Sequence, residues 1–410
     1  MDFDYGVIGG GPAGYSVAMK LAQKGFKVVL FEKEKLGGTC LNKGCIPTKA
    51  LLHASEQYAK CLNSNEIGLD IEVKGFDFSK IAEKRDKTVE KIRKSLELAV
   101  KNSGVITIYA EAIVQDKNTI LADCNTYRVE EIICATGAKP RELKGLEFDG
   151  EFVLSSDDVL KLNSLPKSVL IVGSGAIGIE WARIFSNFGV EVTLVELAAH
   201  LSPLADIEVS KRVERVFKQN KIKFYLTDCI DSIDNKKVTL KSGVVIEPDF
   251  ILSAVGRTPE NDGWNSITKI GDVSGEIQLA HYAISQAINY CDNRPLTLDK
   301  TLIPSVIYGE PEIAWVGLRE QDCDDSYTKL LLPITALGKS WCDDATDGFI
   351  KLILKDGYIV GGHIVSKEAS ALIHQVLMAI QYKISVEELK QMCFAHPTYS
   401  EGIFELLSRV

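Results

Sequence analysis

Two cysteines stand five residues apart in the run Gly37-Gly38-Thr39-Cys40-Leu41-Asn42-Lys43-Gly44-Cys45-Ile46-Pro47-Thr48-Lys49. The run opens a helical pattern that continues through His53, and the aligned N–H groups of a helix N-terminus stabilise a thiolate. Such a pair suits disulfide exchange. A zinc site would need a second Cys or His pair nearby, and the sequence offers none there. The competing reading makes both residues small buried hydrophobes, as expected for Cys61, Cys124, Cys134, Cys229, Cys291, Cys323, Cys342 and Cys393. A second chemical candidate is His396, in His396-Pro397-Thr398-Tyr399-Ser400-Glu401. Pro397 restrains the backbone, Ser400 is placed to cap the last helix, and Glu401 at its start can orient the imidazole as a base.

The elements that must position these residues are legible as a duplication. The apolar strand Tyr5 to Ile8 leads into Gly9-Gly10-Gly11-Pro12-Ala13-Gly14, a helical pattern from Ala13 to Lys24, and the strand Val28 to Phe31 ending on Glu32. In this strand–turn–helix–strand unit Gly9 makes the tight turn. Gly11 lets a pyrophosphate approach the helix N-terminus, Gly14 packs helix on strand, and Glu32 accepts a ribose hydroxyl. The unit returns as Ser168 to Val172, Gly173-Ser174-Gly175-Ala176-Ile177-Gly178, a helix through Phe188, and the strand Glu191 to Glu196. Eighteen positions separate Gly14 from Glu32 and Gly178 from Glu196. Each unit closes on an apolar strand running into glycine, at Ala135-Thr136-Gly137 and Ser253-Ala254-Val255-Gly256. Two dinucleotide sites in one chain follow, joined by a turn-rich linker around Gly145 to Pro166. The first unit takes 123 positions from Gly14 to Gly137 where the second takes 78 from Gly178 to Gly256, so the first carries an insertion that includes the cysteine pair.

Between Phe78 and Asn102, Ile81, Val89, Ile92, Leu96 and Ala99 mark one face of a packing helix. From Ile303 the pattern changes to short strands (Val306 to Gly309, Ile313 to Gly317, Phe349 to Leu354, Tyr358 to Val365) and helices from Lys367 and Ser385, an α+β unit without a nucleotide turn. The 410 residues carry 47 Lys and Arg against 56 Asp and Glu, a net charge of −9. With no basic stripe and no apolar run of the ~18 residues a span requires, nucleic acid and membrane are excluded as partners. Sparse cysteines and no signal-peptide pattern lead to a reducing cytoplasm.

At these motifs the chain resembles the pyridine nucleotide–disulfide oxidoreductases, in particular the branch acting on dihydrolipoamide. The resemblance spans nearly the whole chain. It rests on the Gly38–Lys49 redox signature, both glycine turns, Ala135-Thr136-Gly137, Gly256-Arg257-Thr258-Pro259, Gly271-Asp272 with Leu279-Ala280-His281, and the His396–Glu401 run. It implies an α/β fold of two Rossmann-like dinucleotide-binding domains, for FAD and NAD, plus a C-terminal α+β dimerisation domain. The boundaries are 1–145 for the FAD domain with the redox disulfide, 146–257 for the NAD domain, 258–302 for a shortened central segment completing the FAD site, and 303–410 for the interface domain.

The resemblance implies that FAD meets Gly9, Gly11, Pro12, Ala13, Gly14, Glu32 and Lys33, then Gly38, Thr39, Thr136 and Gly137, with Gly271, Asp272 and Ala280 completing the site. Glu32 would hold the adenosine ribose and Asp272 the ribityl chain. NAD would meet Gly173, Gly175, Ala176, Ile177, Gly178, Glu196 and Gly256. Glu196 can accept from a ribose 2′-hydroxyl and would repel a 2′-phosphate, and Leu197, Ala198 and Ala199 supply no arginine for one. Lys49 would pair with Glu180 near the flavin. His396, oriented by Glu401, would act on the Cys40–Cys45 disulfide of the other subunit of a homodimer, and a lipoyl-bearing component of a 2-oxo acid dehydrogenase or related complex would supply the substrate.

Three departures stand out. Only eleven residues separate Pro259 from Gly271, where family members are longer, so this is a compact variant or a sequence without that stretch. Ser366 to Ser370 replaces a small glycine-containing turn, and Trp181 follows Glu180 where a smaller side chain is usual. The alternatives are a glutathione-type reductase, a mercuric-ion reductase, a transhydrogenase, and a catalytically silent nucleotide-binding module. A mercuric-ion reductase would carry a C-terminal cysteine pair, whereas this chain ends Leu406-Leu407-Ser408-Arg409-Val410.

Overall fold

The duplication is built as two parallel sheets. A computed structural model describes residues 1–260 and 266–410. In the first sheet Ile106–Ile108, Val28–Phe31, Phe3–Ile8 and Asn125–Cys134 lie side by side in parallel, and Thr268–Lys269 adds to the far edge of Asn125–Cys134. The N-terminal half of Asn125–Cys134 instead pairs antiparallel with Thr119–Ala122, which continues to Ala112–Asp116. The second sheet repeats the order with Lys223–Leu226, Glu191–Glu196, Ser168–Val172 and Phe250–Ser253. Strands buried on both faces explain why both units read as continuous apolar runs.

The turn-rich linker is more than a connection. Its Val153–Leu154 pairs in parallel with Phe250–Ser253, and Ser155 caps a one-turn helix Ser156–Val159 through a reciprocal capping box with Asp158. The segment expected as a turn after Gly256 is also a strand: Arg257–Pro259 pairs antiparallel with Ala138–Pro140, so the two closing segments join the units directly.

The insertion in the first unit folds as a short helix Gly38–Lys43, a long helix Cys45–Leu62 that runs well past His53, and the helix Phe78–Asn102. On the last of these Val89 is buried and Ile81 and Leu96 are half-buried, but Ile92 and Ala99 face solvent. The buried face instead uses Phe78, Ala82, Arg85 and Val100, a stripe shifted by one position. Leu51 and Leu52 of the long helix share a core with Ile179, Ala182 and Trp181 of helix Ala176–Asn187, and this packing brings the insertion against the second unit.

The C-terminal unit is a five-stranded antiparallel sheet in the order Ser305–Ile307, Glu312–Gly317, Tyr358–Ser366, Phe349–Lys355, Thr328–Pro333. Thr328–Pro333 was not expected from the sequence. Helix Ala369–Gln381 covers the sheet with Leu372, Ile373 and Val376, beside Tyr399 and, from the last helix Glu401–Leu407, Ile403 and Leu406. A buried charge cluster ties this sheet to the second unit. Lys351, 2% exposed, reaches Asp206 (0%) at 2.7 Å and also Glu320, while His363 Nε2 lies 3.7 Å from Asp206.

The expectation of eight further buried cysteines holds only for Cys134 and Cys291. Cys61, Cys124, Cys342 and Cys393 are exposed, and Cys229 and Cys323 are half-buried. Helix ends and turns account for these: Cys61 and Cys342 close out helices and Cys124 sits at positive φ in a hairpin turn. Among the described residues no helix is long and apolar enough to cross a membrane.

Candidate functional site

One continuous cleft of ≈2310 Å³ runs along both glycine turns and past both cysteines. Pockets for a single drug-sized ligand occupy roughly 300–1,000 Å³, so the cleft has room for two extended dinucleotides.

Both turns are shaped by the same close approaches. A Cβ on Gly14 would lie 1.7 Å from the Gly9 carbonyl oxygen, and one on Gly178 would lie 2.0 Å from that of Gly173. A Cβ on Gly175 would meet nothing within 4 Å, which leaves the backbone at the helix start open to the cleft. The acids repeat as well. The Gly10 N–H donates to Glu32 at 2.7 Å and the Ser174 N–H to Glu196 at 2.8 Å, each across 22 positions. Glu34 N–H and Ala198 N–H donate to the other oxygens of the same two carboxylates, at 2.7 and 2.9 Å. Ser174 Oγ donates to Glu196 as well, at 2.6 Å. Each carboxylate is thus aimed before any ribose arrives.

The other expected nucleotide residues gather along the same cleft: Pro12, Ala13, Lys33, Thr39, Thr136, Gly137, Asp272 and Ala280 on the first side, Ala176, Ile177 and Gly256 on the second. Lys33 lies 3.5 Å from Glu260, and Thr136 Oγ1 donates to the Glu260 carbonyl at 2.8 Å. Gly271 is at φ +82°, where a Cβ would come 2.9 Å from Ala13 Cβ, and its N–H donates to Gln286 at 2.8 Å. That contact seats Asp272 beside the first helix. Burial pushes the Asp272 carboxyl up, with Arg257 opposing. Two glycine cradles, two carboxylates each fixed by backbone N–H donors, and a half-buried acid toward the first cradle fit two dinucleotides.

Cys40 lies within Gly38–Lys43, and Cys45 is the first residue of Cys45–Leu62, so the sulfur expected to benefit from a helix N-terminus is that of Cys45. The two thiols are hydrogen-bonded and unequal. The Cys40 donor stabilises the Cys45 thiolate; burial opposes this, and Lys49 reinforces it against Glu180, bringing Cys45 down to about 7. The Cys40 thiol is pushed up by the same hydrogen bond and by burial. Lys49, one turn beyond Cys45, reaches Glu180 at 2.7 Å, and Glu180 is only 4% exposed at its side chain.

Sequence reasoning missed Tyr308. Its N–H donates to Glu180 at 3.1 Å, and the Lys49 ammonium stands 4.8 Å from its ring centroid. No local signal marks it, because the three residues come from three different parts of the chain. Trp181 is fully buried against Phe185 at 5.2 Å and contributes to the cleft wall.

His396 is elsewhere. Its Nδ1 lies 2.8 Å from Glu401, whose second oxygen accepts from the Thr398 N–H at 2.7 Å. Ser400 does not cap the helix as expected; it has helical backbone angles, and its Oγ accepts from Gln375 at 2.8 Å. The imidazole side chain is 76% exposed, and among the described residues lining the cleft none comes from the His396–Glu401 run. Within one chain His396 and the cysteine pair are not brought together.

The profile of the pyridine nucleotide-disulphide oxidoreductases matches residues 3–269, and that of their dimerisation domain matches 303–407. The chain belongs to the pyridine nucleotide-disulphide oxidoreductase family. Among its relatives, the dihydrolipoyl dehydrogenase of Bacillus subtilis (strain 168) is 32% identical over 459 positions, covering 98% of this chain and 97% of the relative. The mitochondrial dihydrolipoyl dehydrogenase of Pisum sativum is 32% identical over 451 positions, covering 98% and 90%. The structure of LpdA from Mycobacterium tuberculosis superposes with a TM-score of 0.90 at 23% identity, covering 99% of each chain. That of RclA, a flavoprotein disulfide reductase from Escherichia coli, superposes at 0.86 and 23%, covering 99% and 100%. These two likenesses concern the fold.

Alignments longer than the chain's 410 residues mean that these oxidoreductase relatives carry segments without a counterpart here. The short stretch between Pro259 and Gly271 is where one was expected. Of that stretch, residues 261–265 lie outside the described residues.

Proposed function

We propose that the chain oxidises dihydrolipoamide to lipoamide with NAD⁺ as acceptor, through a disulfide formed by Cys40 and Cys45. The observation that carries this reading is the unequal thiol pair lying in the cleft that joins two dinucleotide cradles. The names of the full-length relatives narrow the dithiol to dihydrolipoamide.

FAD is assigned to the first turn with Glu32, Lys33 and Asp272, and NAD to the second with Glu196. Bound there, FAD would supply an acceptor for the two electrons of the reduced cysteine pair, and NAD⁺ would supply the final hydride acceptor. The chain's own residues do the rest. His396, held by Glu401, takes a proton from one substrate thiol, and the resulting thiolate attacks Cys40 Sγ. The Cys40–Cys45 bond breaks, and Cys45 leaves as a thiolate stabilised by Lys49. His396 gives its proton to the departing Cys40 sulfur and takes up that of the second substrate thiol, which attacks the substrate sulfur of the mixed disulfide, closing the cyclic product and returning Cys40 as a thiol. Glu180 fixes the Lys49 ammonium.

Because His396 lies outside its own chain's cleft, it serves the cleft of a second copy. The dimerisation-domain match and the exposed Trp341, Met378, Tyr382 and Met392 of the C-terminal unit support a homodimer. We further read the domain boundaries as 1–145, 146–257, 258–302 and 303–410, the compartment as a reducing cytoplasm, and the partner as a lipoyl-bearing component of a 2-oxo acid dehydrogenase or related complex. An activity panel tests the reading, with dihydrolipoamide, glutathione disulfide and mercuric ion against both nicotinamide cofactors. Turnover with dihydrolipoamide and NAD⁺ is expected, and preferential reduction of glutathione disulfide or mercuric ion overturns it.

A further inference from the structure

The Lys49 ammonium has two anionic environments within its reach, and only one of them serves Cys45. On the cleft side lies Glu180. On the far side is a second cavity of ≈200 Å³, lined by Lys49 and Tyr308 together with His53, Glu56, Glu310, Glu312 and Lys367. The cavity is acidic. Glu56 Oε1 is buried without a hydrogen-bond partner, and burial together with Glu310 pushes its carboxyl up to about 7. A lysine on a flexible four-carbon stem would gain by neutralising that carboxylate. Lys49 and Tyr308 form the shared wall between the two spaces.

Tyr308 itself is anchored from one helix. Its N–H is held by Glu180, and three residues further along that helix Arg183 Nη1 donates to the Pro311 carbonyl at 2.7 Å. Gly309, at φ +141°, admits the guanidinium, because a Cβ there would stand 1.9 Å from Arg183 Nη1. The backbone of the 308–311 segment is therefore clamped at both ends, which fixes where the ring starts from. The ring's negative face attracts an ammonium at 4.8 Å.

We propose that Tyr308 is a positioning residue whose ring holds Lys49 on the cleft side, beside Cys45, against the pull of Glu56, which faces Glu310, Glu312, Arg183 and Lys60 and whose neighbour Glu310 is itself paired with Lys60. The proposal rests on Cys45 working as a thiolate, as in the function above. The charged groups facing Tyr308 are Lys49, Glu312, Glu180 and Cys45; those facing Cys45 are Cys40, Lys49 and Glu180.

The test reads the pH midpoint of Cys45 alkylation by iodoacetamide, peptide by peptide, in the flavin-loaded protein reduced with dithiothreitol. Position 308 carries phenylalanine or phenylalanines with one to four ring fluorines, which weaken the ring's negative face at nearly constant shape. The midpoint should stay at the wild-type value for Tyr308→Phe and climb with each fluorine, by roughly half a unit to one unit in all, the range of a partly desolvated cation–π contact. Tyr308→Leu should shift it as far as the most fluorinated ring, and Glu56→Gln added to Tyr308→Leu should reverse part of the shift. A flat fluorine series overturns the role of Tyr308, as does an equal shift for phenylalanine and leucine or no reversal by Glu56→Gln. A wild-type midpoint near that of a free thiol would instead strike the thiolate reading on which the proposal stands. The two failures are thus distinguishable.

Discussion

Replacing Cys40 with alanine should make Cys45 a weaker acid by a predictable amount. In the intact pair Cys45 sits at about 7 against an ordinary value of 9.0, a stabilisation of the thiolate by about 3 kcal/mol. The hydrogen bond donated by Cys40 is the largest contribution. Burial and Glu180 act against it, and Lys49 acts with it. A hydrogen bond to a charged acceptor is worth about 1.5–3 kcal/mol, so its loss raises the midpoint by roughly one to two units. At pH 8 the thiolate fraction would fall from roughly nine-tenths to about half or less. Cys40→Ser retains a hydroxyl donor and should remain within roughly half a unit of the reduced wild type. The assay is the iodoacetamide alkylation rate of Cys45 across the neutral to alkaline range, quantified by peptide mass. Identical midpoints for the alanine variant and the reduced wild type would refute the reasoning and assign the acidity to Lys49 and the helix N-terminus instead.

Further outcomes follow from the same geometry. Glu196→Ala with Leu197→Arg should move the ratio of kcat/KM for NAD⁺ over NADP⁺ by roughly ten- to a hundredfold toward NADP⁺, since one charged hydrogen bond is lost and a phosphate partner gained; an unchanged ratio contradicts it. His396→Ala should lower dithiol oxidation by ~10²–10⁴-fold while NADH-dependent dye reduction persists. Mixed with Cys40→Ser subunits it should regain activity in the heterodimer, and continued inactivity would mean that the two residues act within one chain. Lys351→Met leaves Asp206 buried without its cation and should cost ~3 kcal/mol in urea unfolding, with much of the loss recovered by adding Asp206→Asn. Burial opposes ionisation of Asp206, but His363, Lys351 and the Glu320 and Glu208 N–H groups outweigh it and hold the carboxyl below its ordinary value. Its contribution is therefore complete above the ordinary carboxylate range and lost as pH falls through the depressed value. Asp206→Asn should flatten the acid limb of the stability curve, and an unchanged limb would count against the cluster.

Spacing carried the sequence reading furthest where the chemistry is local. The interval from glycine turn to acid returns as two hydrogen bonds across 22 positions, Gly10 to Glu32 and Ser174 to Glu196. Cys45 at a helix start and Glu401 beside His396 are local as well. Legibility ended where distant segments converge. Tyr308 meets a glutamate 128 positions earlier, and Lys49 reaches the same glutamate across 131, with no periodicity to announce either. Lys351 reads as one more surface charge in an apolar strand, although Asp206 makes it a buried tie between units. The free cysteines misled because the type is usually buried, while helix ends and a hairpin turn put Cys61, Cys342 and Cys124 in solvent. Thr328–Pro333 escaped because the outward-facing Leu331 blurs its alternation into a short apolar run that ends in a proline, and only its partner Phe349–Lys355 completes it.

The most direct measurement is differential alkylation of the flavin-loaded protein. One equivalent of dihydrolipoamide is added without air, thiols are blocked with a light reagent, and NAD⁺ is added in a parallel sample before blocking. Cys40 and Cys45 should be unreactive before the dithiol, labelled together after it, and unreactive again once NAD⁺ has drawn off the electrons, with the other eight cysteines unchanged throughout. Labelling of Cys40 and Cys45 that is the same in all three samples would contradict a redox disulfide between them and, with it, the proposed reaction.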